Sequence, residues 1–299
     1  MPTPAPSWSR GLVALGAVTT VLVAAGLAAA VPDNTAAWVK GFGGTGSGQH
    51  DYANDIAALG DGSSLLAGGF NGPMTVGATN LTNEGGQDPY VVKVNPDGSI
   101  AWAVSGGGAD NASAVSISAF ADGSAVVAGW FTGTATFGTH TITSAGGNDV
   151  YVAKISSAGV WQWATAAGGA DNESFNDVVA LPDGSAAIVG NYKAAFTLGG
   201  TALPYVGTYV QNWRDSIAFA AKIDASGNWV WATSVPSSNT SIPKGIAATT
   251  DGSLYVAGYY RGLTATFGST TLSSRADQSP LEGFVAKLSA GGTWTWATS

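Results

Sequence analysis

Asp122-Gly123-Ser124-Ala125-Val126-Val127-Ala128-Gly129-Trp130-Phe131 opens on a turn and closes on an aromatic residue. Just upstream, Ala114 to Phe120 alternates apolar with small residues, the period of a strand with one buried face. Asp-Gly supplies the positive φ of a tight hairpin, so Ala125 to Phe131 reads as the returning partner strand. Downstream, Thr134 to Ser144 reads as a longer connection or minor hairpin, and Val150 to Ile155 as a third strand. Ala158-Gly159 then turns the chain into a fourth, Val160 to Thr165. Side chains repeat every two residues along a strand, which predicts Trp161 and Trp163 on one face.

The whole phrase occurs four times. Asp-Gly-Ser stands at 61–63, 122–124, 183–185 and 251–253. Seven residues after each Asp comes a glycine (Gly68, Gly129, Gly190, Gly258), and two further on an aromatic residue (Phe70, Phe131, Tyr192, Tyr260). Lys93, Lys154, Lys222 and Lys287 are each followed nine residues on by Trp102, Trp163, Trp231 and Trp296. A fixed period of this kind marks a solenoid or propeller before any local reading is made. One twisted four-stranded sheet cannot bury both of its faces, and radial stacking of such sheets is the usual solution. The predicted fold is therefore all-β, a β-propeller of four four-stranded blades of about 61–68 residues, with repeats at about 38–102, 103–163, 164–231 and 232–296. The fourth-strand pattern also occurs once more, at Ala36 to Phe42 around Trp38. Four blades need only four such strands, so this extra N-terminal copy is a closing strand, part of an incomplete fifth blade or a strand offered to another subunit; ring closure or pairing with another chain is expected.

Several segments resemble the bacterial propeller repeats called SBBP. The likeness lies in Ile246 to Tyr259, in Thr136-Phe137-Gly138, in Gly146-Gly147-Asn148-Asp149-Val150-Tyr151-Val152-Ala153-Lys154, and in the tryptophans followed by Gly106-Gly107 or Gly168-Gly169. It covers all four copies and implies an exported propeller of a kind common in cell-surface proteins; it implies no particular reaction. The third copy departs from it by replacing Gly-Gly-x-Asp with Tyr205 to Asp215, and the fourth by lacking Gly-Gly after Trp231. Asp224 to Trp231 also resembles the tryptophan-docking repeat of quinoprotein propellers, in which the indole locks adjacent blades and carries no redox chemistry.

Composition narrows the function. Of 299 residues only 10% are charged, the formal charge is −8, and there is no cluster of basic residues, which excludes nucleic acid as a natural partner. The absence of cysteine excludes disulfides, thiolate metal sites and a cysteine nucleophile. Residues 1–30 read as a secretory signal: Arg10, an uncharged apolar run from Gly11 to Leu27, then Ala28-Ala29-Ala30 as cleavage site. Left uncleaved, Leu12 to Val31 is long enough for a membrane anchor. Residues 31–299 form the propeller domain, secreted or held in the cell envelope.

No catalytic set is visible. His50 and His140 stand in unrelated contexts, and Gly41 to Gly46 matches a dinucleotide loop without the helix that loop requires. Asp110-Asn111 and Asp171-Asn172-Glu173, with Asn176 and Asp177, carry enough oxygen for Ca²⁺ but lack the spacing of a calcium loop, and turn-forming Asp and Asn explain them. No cofactor is expected. Lys93 with Asp88 and Lys154 with Asp149 look like repeated ion pairs. The strongest break in the repeat is in the third copy, where Asp183 to Lys222 spans 39 residues against 32 in the first two. Its extra length brings Tyr205, Tyr209, Trp213, Arg214 and Asp215, flat rings beside hydrogen-bonding groups, as a sugar ring or protein hot spot requires. Trp130 and Tyr259, which stand where other copies have Gly69 and Asn191, are candidates to extend that surface. The function predicted first is a non-catalytic binding or adhesion module for extracellular glycan or protein. A structural repeat of a larger envelope assembly comes second. A polysaccharide hydrolase or lyase comes third, and needs paired carboxylates converging from different blades.

Overall fold

A computed structural model describes residues 20–21, 38–44, 49–205, 209–210, 213–274 and 281–299. The predicted signal segment lies outside the described residues apart from Thr20–Val21. Among the described residues no helix is long and apolar enough to cross a membrane.

Four antiparallel four-stranded sheets follow one another, each with its strands in chain order. Blade 1 is Asp51–Ala58, Ser64–Phe70, Asp88–Val94 and Ile100–Ser105; blade 2 is Ala112–Ala119, Ala125–Phe131, Asp149–Ile155 and Trp161–Ala167. Blade 3 is Glu173–Ala180, Ala186–Tyr192, Ile217–Ile223 and Trp229–Val235; blade 4 is Thr240–Ala248, Leu254–Arg261, Glu282–Leu288 and Trp294–Thr298. A minor hairpin, such as Thr134–Phe137 with His140–Thr143, interrupts each blade between its second and third strands. The Asp-Gly-Ser turns form as the sequence predicts. In the first, Gly62 takes φ +83° and donates its N–H to Leu59, while the Asp61 carboxylate accepts the Ser63 N–H at 2.9 Å. The repeated aromatics Phe70, Phe131, Tyr192 and Tyr260 are fully buried.

Two one-residue slips per blade decide which way side chains face. The inner strand bulges at Asn54, Val115, Asn176 and Lys244. The outer strand bulges too: Trp163 sits opposite Lys154 and Trp161 opposite Ile155, so Gln162 is an extra residue. This corrects the expectation that the two tryptophans share a face, because an inserted residue cancels the period of two. Trp161 is buried in the core between blades 1 and 2, and Trp163 packs on the core between blades 2 and 3.

Blades 1, 2 and 3 therefore each hand one indole forward. The Trp102, Trp163 and Trp231 indole N–H groups donate to the carbonyls of Ser157, Ala225 and Ala290 in the next blade, at 3.1, 2.9 and 3.1 Å. Each ring lies against the glycine of that turn, Gly159, Gly227 or Gly292, where any Cβ would stand within 3 Å of the indole. Trp163→Ala is expected to cost about 3 kcal/mol, the lower end for a lost tryptophan because the ring is only half-buried. Trp296→Ala, whose ring is exposed and meets no following blade among the described residues, should cost about 1 kcal/mol or less. Chemical denaturation of the two variants checks the difference.

The lysine pairs predicted from sequence do not form. Asp88 and Lys93 share a strand at an odd separation, which places them on opposite faces and about 17 Å apart. Lys93 instead reaches Asp61 at 3.6 Å, Lys222 reaches Asp183 at 3.0 Å, and the Lys154 ammonium lies 4.5 Å from the Phe120 ring centroid.

Blades 1–2, 2–3 and 3–4 each bury a continuous apolar core against the inner strand of the later blade. Among the described residues no strand of blade 4 packs on blade 1 in this way. The extra N-terminal copy does not close the gap. Trp38 donates its indole N–H to Pro96 at 2.9 Å and lies on Gly98, the blade 1 counterpart of the turn that receives Trp102 on blade 2. Phe42 meets Tyr90 edge-on at 6.0 Å, and Gly43 bridges Thr75 as Gly107 bridges Thr136. Residues 38–44 thus occupy the place of an outer strand from a preceding blade.

Candidate functional site

The blade 1–2 junction carries a shallow cleft of about 300 Å³ lined by His50, Tyr52, Asn71, Gly86, Gln87 and Asn111. Backbone pairing fixes each contributor. The Asn71 side-chain oxygen accepts the His50 N–H at 2.5 Å, and the Asn111 side-chain oxygen accepts the Gln87 N–H at 2.9 Å. Gly86 is required beside it, since a Cβ there would stand 2.2 Å from the Asn111 oxygen. His50 stacks on Tyr52 with centroids 6.0 Å apart and planes at 22°. An aromatic platform beside carboxamides can hold a sugar ring by its apolar face and its hydroxyls together.

Sequence reasoning set His50 aside and did not consider Tyr52. The signal was available: the residues equivalent to Tyr52 in the other inner strands are Ser113, Ser174 and Ile242. Applied to that strand, the copy-to-copy comparison that singled out the insertion would have found it.

The insertion itself folds as a small hairpin, Tyr209–Val210 with Trp213–Arg214. The side chains of Tyr209, Trp213 and Arg214 lie outside the described residues. Tyr205 donates its hydroxyl to the Asp215 carbonyl at 2.8 Å, closing the base of the insertion, and Asp215 is buried. Trp130 and Tyr259 occupy the same position in blades 2 and 4. Blade 3 follows the first of these faces; Tyr259 lies on the open outward face of blade 4, with the Lys244 ammonium 5.6 Å from its ring centroid.

Carboxylates from different blades do converge, in two places. Asp55 and Asp177 both touch the Ser116 hydroxyl, at 2.8 and 2.9 Å. Asp55 also accepts the N–H groups of Ile56 and Ile117, and Asp177 those of Val178 and Ile246. All four oxygens are engaged, and the donors from Ile117 and Ile246 staple each inner strand to the next. A hydroxyl has one proton to donate and two carboxylates beside it; burial pushes the Asp177 carboxyl up from its ordinary value.

The other pair is Asp149 and Glu173. At the blade 1–2 junction, Asp88 accepts the Gly108 N–H at 3.1 Å. At the blade 2–3 junction the equivalent N–H, from Gly169, goes to Glu173 at 2.9 Å instead. Asp149 Oδ1 and Glu173 Oε1 are consequently buried without a hydrogen-bond partner. Burial, with the charge of Asp149 adding, pushes Glu173 from 4.5 up to about 7. The folded chain therefore holds a proton there that the unfolded chain releases, so the stability tied to Glu173 is full below about pH 4.5 and is lost as pH rises through about 7. The melting temperature is expected to fall over this range, and Glu173→Gln to flatten that fall. An unchanged pH profile in the variant would remove Glu173 as its source.

The asparagines of the turns weighed for calcium are structural ties: Asn172 accepts the Asn148 N–H at 2.8 Å, as Asn111 accepts that of Gln87. Among the described residues no group of three or more metal-ligating side chains gathers.

A family model described as "Domain of unknown function (DUF5122) beta-propeller" matches residues 74–100, from the blade 1 minor hairpin through its third strand to the first residue of its outer strand. Among solved structures the chain is similar to a protein of unknown function from Bacteroides caccae, at 10% identity and TM-score 0.41, over 87% of this chain and 84% of that one. It is also similar to the WD40 domain of Neurospora crassa Pan2, at 9% identity and TM-score 0.39, over 83% of this chain and 65% of that one. No curated protein matches the chain.

Proposed function

We propose that this chain, built from SBBP-type bacterial repeats, is an exported, non-catalytic binding module that engages glycan or protein outside the cytoplasm. The observation that carries this reading is the cleft at the blade 1–2 junction, where stacked His50 and Tyr52 stand beside Asn71, Gln87 and Asn111 on backbone held by hydrogen bonds. The Asp55 and Asp177 carboxylates are spent on joining blades, which leaves that pair no oxygen for hydrolysis. The test is a screen of the purified protein against soluble and immobilised polysaccharides, with two variants. His50→Ala combined with Tyr52→Ala should abolish retention on any polysaccharide that binds while leaving the melt near that of the parent, because both side chains lie at the surface. Tyr209→Ala, Trp213→Ala and Arg214→Ala together should leave retention intact. Retention lost only in the second variant would move the site to the insertion.

A second reading, a structural unit of a larger envelope assembly, is favoured by the uncovered outer faces of blades 1 and 4.

A further inference from the structure

The seam between blades 1 and 4 leaves two half-interfaces uncovered, and they are complementary halves of the joint used three times within the chain. On the later side of each internal joint an inner strand presents an aliphatic residue: Ile117, Val178 or Ile246. On the earlier side the second and third strands present a small apolar floor. In blade 2 that floor includes Val126, Ala128, Val150 and Val152, which receive Val178. The equivalent of Val178 in blade 1 is Ile56, and it is 45% exposed where Ile117 is 4%. The equivalents of Val126 and Val152 in blade 4 are Tyr255 and Val285. Val285 is 41% exposed where Val152 is 0%, and Tyr255 and Trp296 beside it are exposed as well. Four of the ten exposed large apolar side chains among the described residues, Ile56, Tyr255, Val285 and Trp296, lie on these two surfaces.

We propose that the outward face of blade 4 docks on the inner strand of blade 1 of a second copy, head to tail, in the register of the internal joints. Three things select a second copy as the occupant. The joint repeats a geometry already built three times between the same kinds of strand, so no new complementarity is needed. The charges also match: Lys244 and Lys287 lie on the rings of Tyr259 and Tyr255 in blade 4, while the inner strand of blade 1 carries Asp51 on the face of Phe70 and no cation. Finally, Trp296 is the fifth member of a series whose other four each occupy a glycine turn, and the turn it needs is the kind formed by Pro96 to Gly98 in blade 1. Trp38 holds that turn within its own chain. The residue 38–44 segment is therefore a placeholder that an incoming Trp296 displaces, and it keeps the joint weak and reversible. Because the two surfaces differ, the contact is heterologous, and it either closes on itself or grows. This inference goes beyond the binding reading and does not depend on any ligand.

Sedimentation of the full chain over a range of concentrations tests it, with Ile56→Asp and Val285→Asp as variants. Both sites are exposed, so each variant should keep the melt of the parent. The parent should self-associate as concentration rises, and each variant alone should stay monomeric. An equimolar mixture should form one dimer and go no further, since each variant retains the face that the other lacks. Trp38→Ala, which vacates the turn, should tighten association of the parent by about tenfold or more. A parent that stays monomeric overturns the proposal, as does a mixture that stays monomeric. Loss of association in only one of the two variants also overturns it, because a symmetric joint would use one face twice.

Discussion

Gly129→Ala is expected to prevent folding, or to cost at least about 4–5 kcal/mol, although it adds a single methyl group. The inner strand of each blade bulges beside the glycine that follows Asp-Gly-Ser, and the bulge drives a carbonyl towards it. A Cβ on Gly129 would stand 1.9 Å from the Ser113 carbonyl oxygen and 3.0 Å from the Tyr151 ring. At Gly68, Gly190 and Gly258 the corresponding carbonyl oxygens would be 1.7, 2.4 and 2.2 Å away. Neither neighbour can yield: the carbonyl belongs to a paired strand, and Tyr151 is wholly buried among Phe131 and Phe137. The expected result is insoluble protein or a cooperative melt lost from circular dichroism. A control separates this from general intolerance of a larger residue: Gly60→Ala, with nothing within 4 Å of the new atom, should change little. A normal melt for Gly129→Ala would mean that the inner-strand register is wrong.

The features legible in the sequence are those whose chemistry is short-range. A turn needs Asp-Gly-Ser within three residues, a carbonyl pressed on a strand needs glycine, and a buried ring needs Phe or Tyr two residues further on. Repetition then raised each from a local hint to an architecture. The facing of Trp161 was not legible, because one inserted residue, Gln162, reverses it and no composition signal marks a bulge. The partner of Lys93 was missed for a related reason: it lies across the sheet, at Asp61, as Asp183 does for Lys222, while the candidate Asp88 lay along the strand. The competition of Glu173 with Asp149 for one N–H appears only when blades 2 and 3 are juxtaposed. The cleft draws on residues 50, 52, 71, 86, 87 and 111, which are separate in the sequence and meet only through the meander of the sheet. Of the site predicted on the insertion, Tyr205 and Asp215 prove to tie the loop at its base.

The central claim is that the four blades stack by one repeated joint and that the fourth joint is open. Cysteine accessibility tests it most directly, because the parent chain contains none and any thiol reaction reports the introduced residue alone. Val152→Cys and Val285→Cys place a thiol at the same position of the third strand in blades 2 and 4, buried by a following blade in one and uncovered in the other. Measured at low protein concentration with a small thiol reagent, Val285→Cys is expected to react as fast as a model thiol. Val152→Cys must wait for the blades to part, and should react slower by about a thousandfold or more. Equal protection of the two thiols would mean that blade 4 is covered by blade 1, and the ring closed.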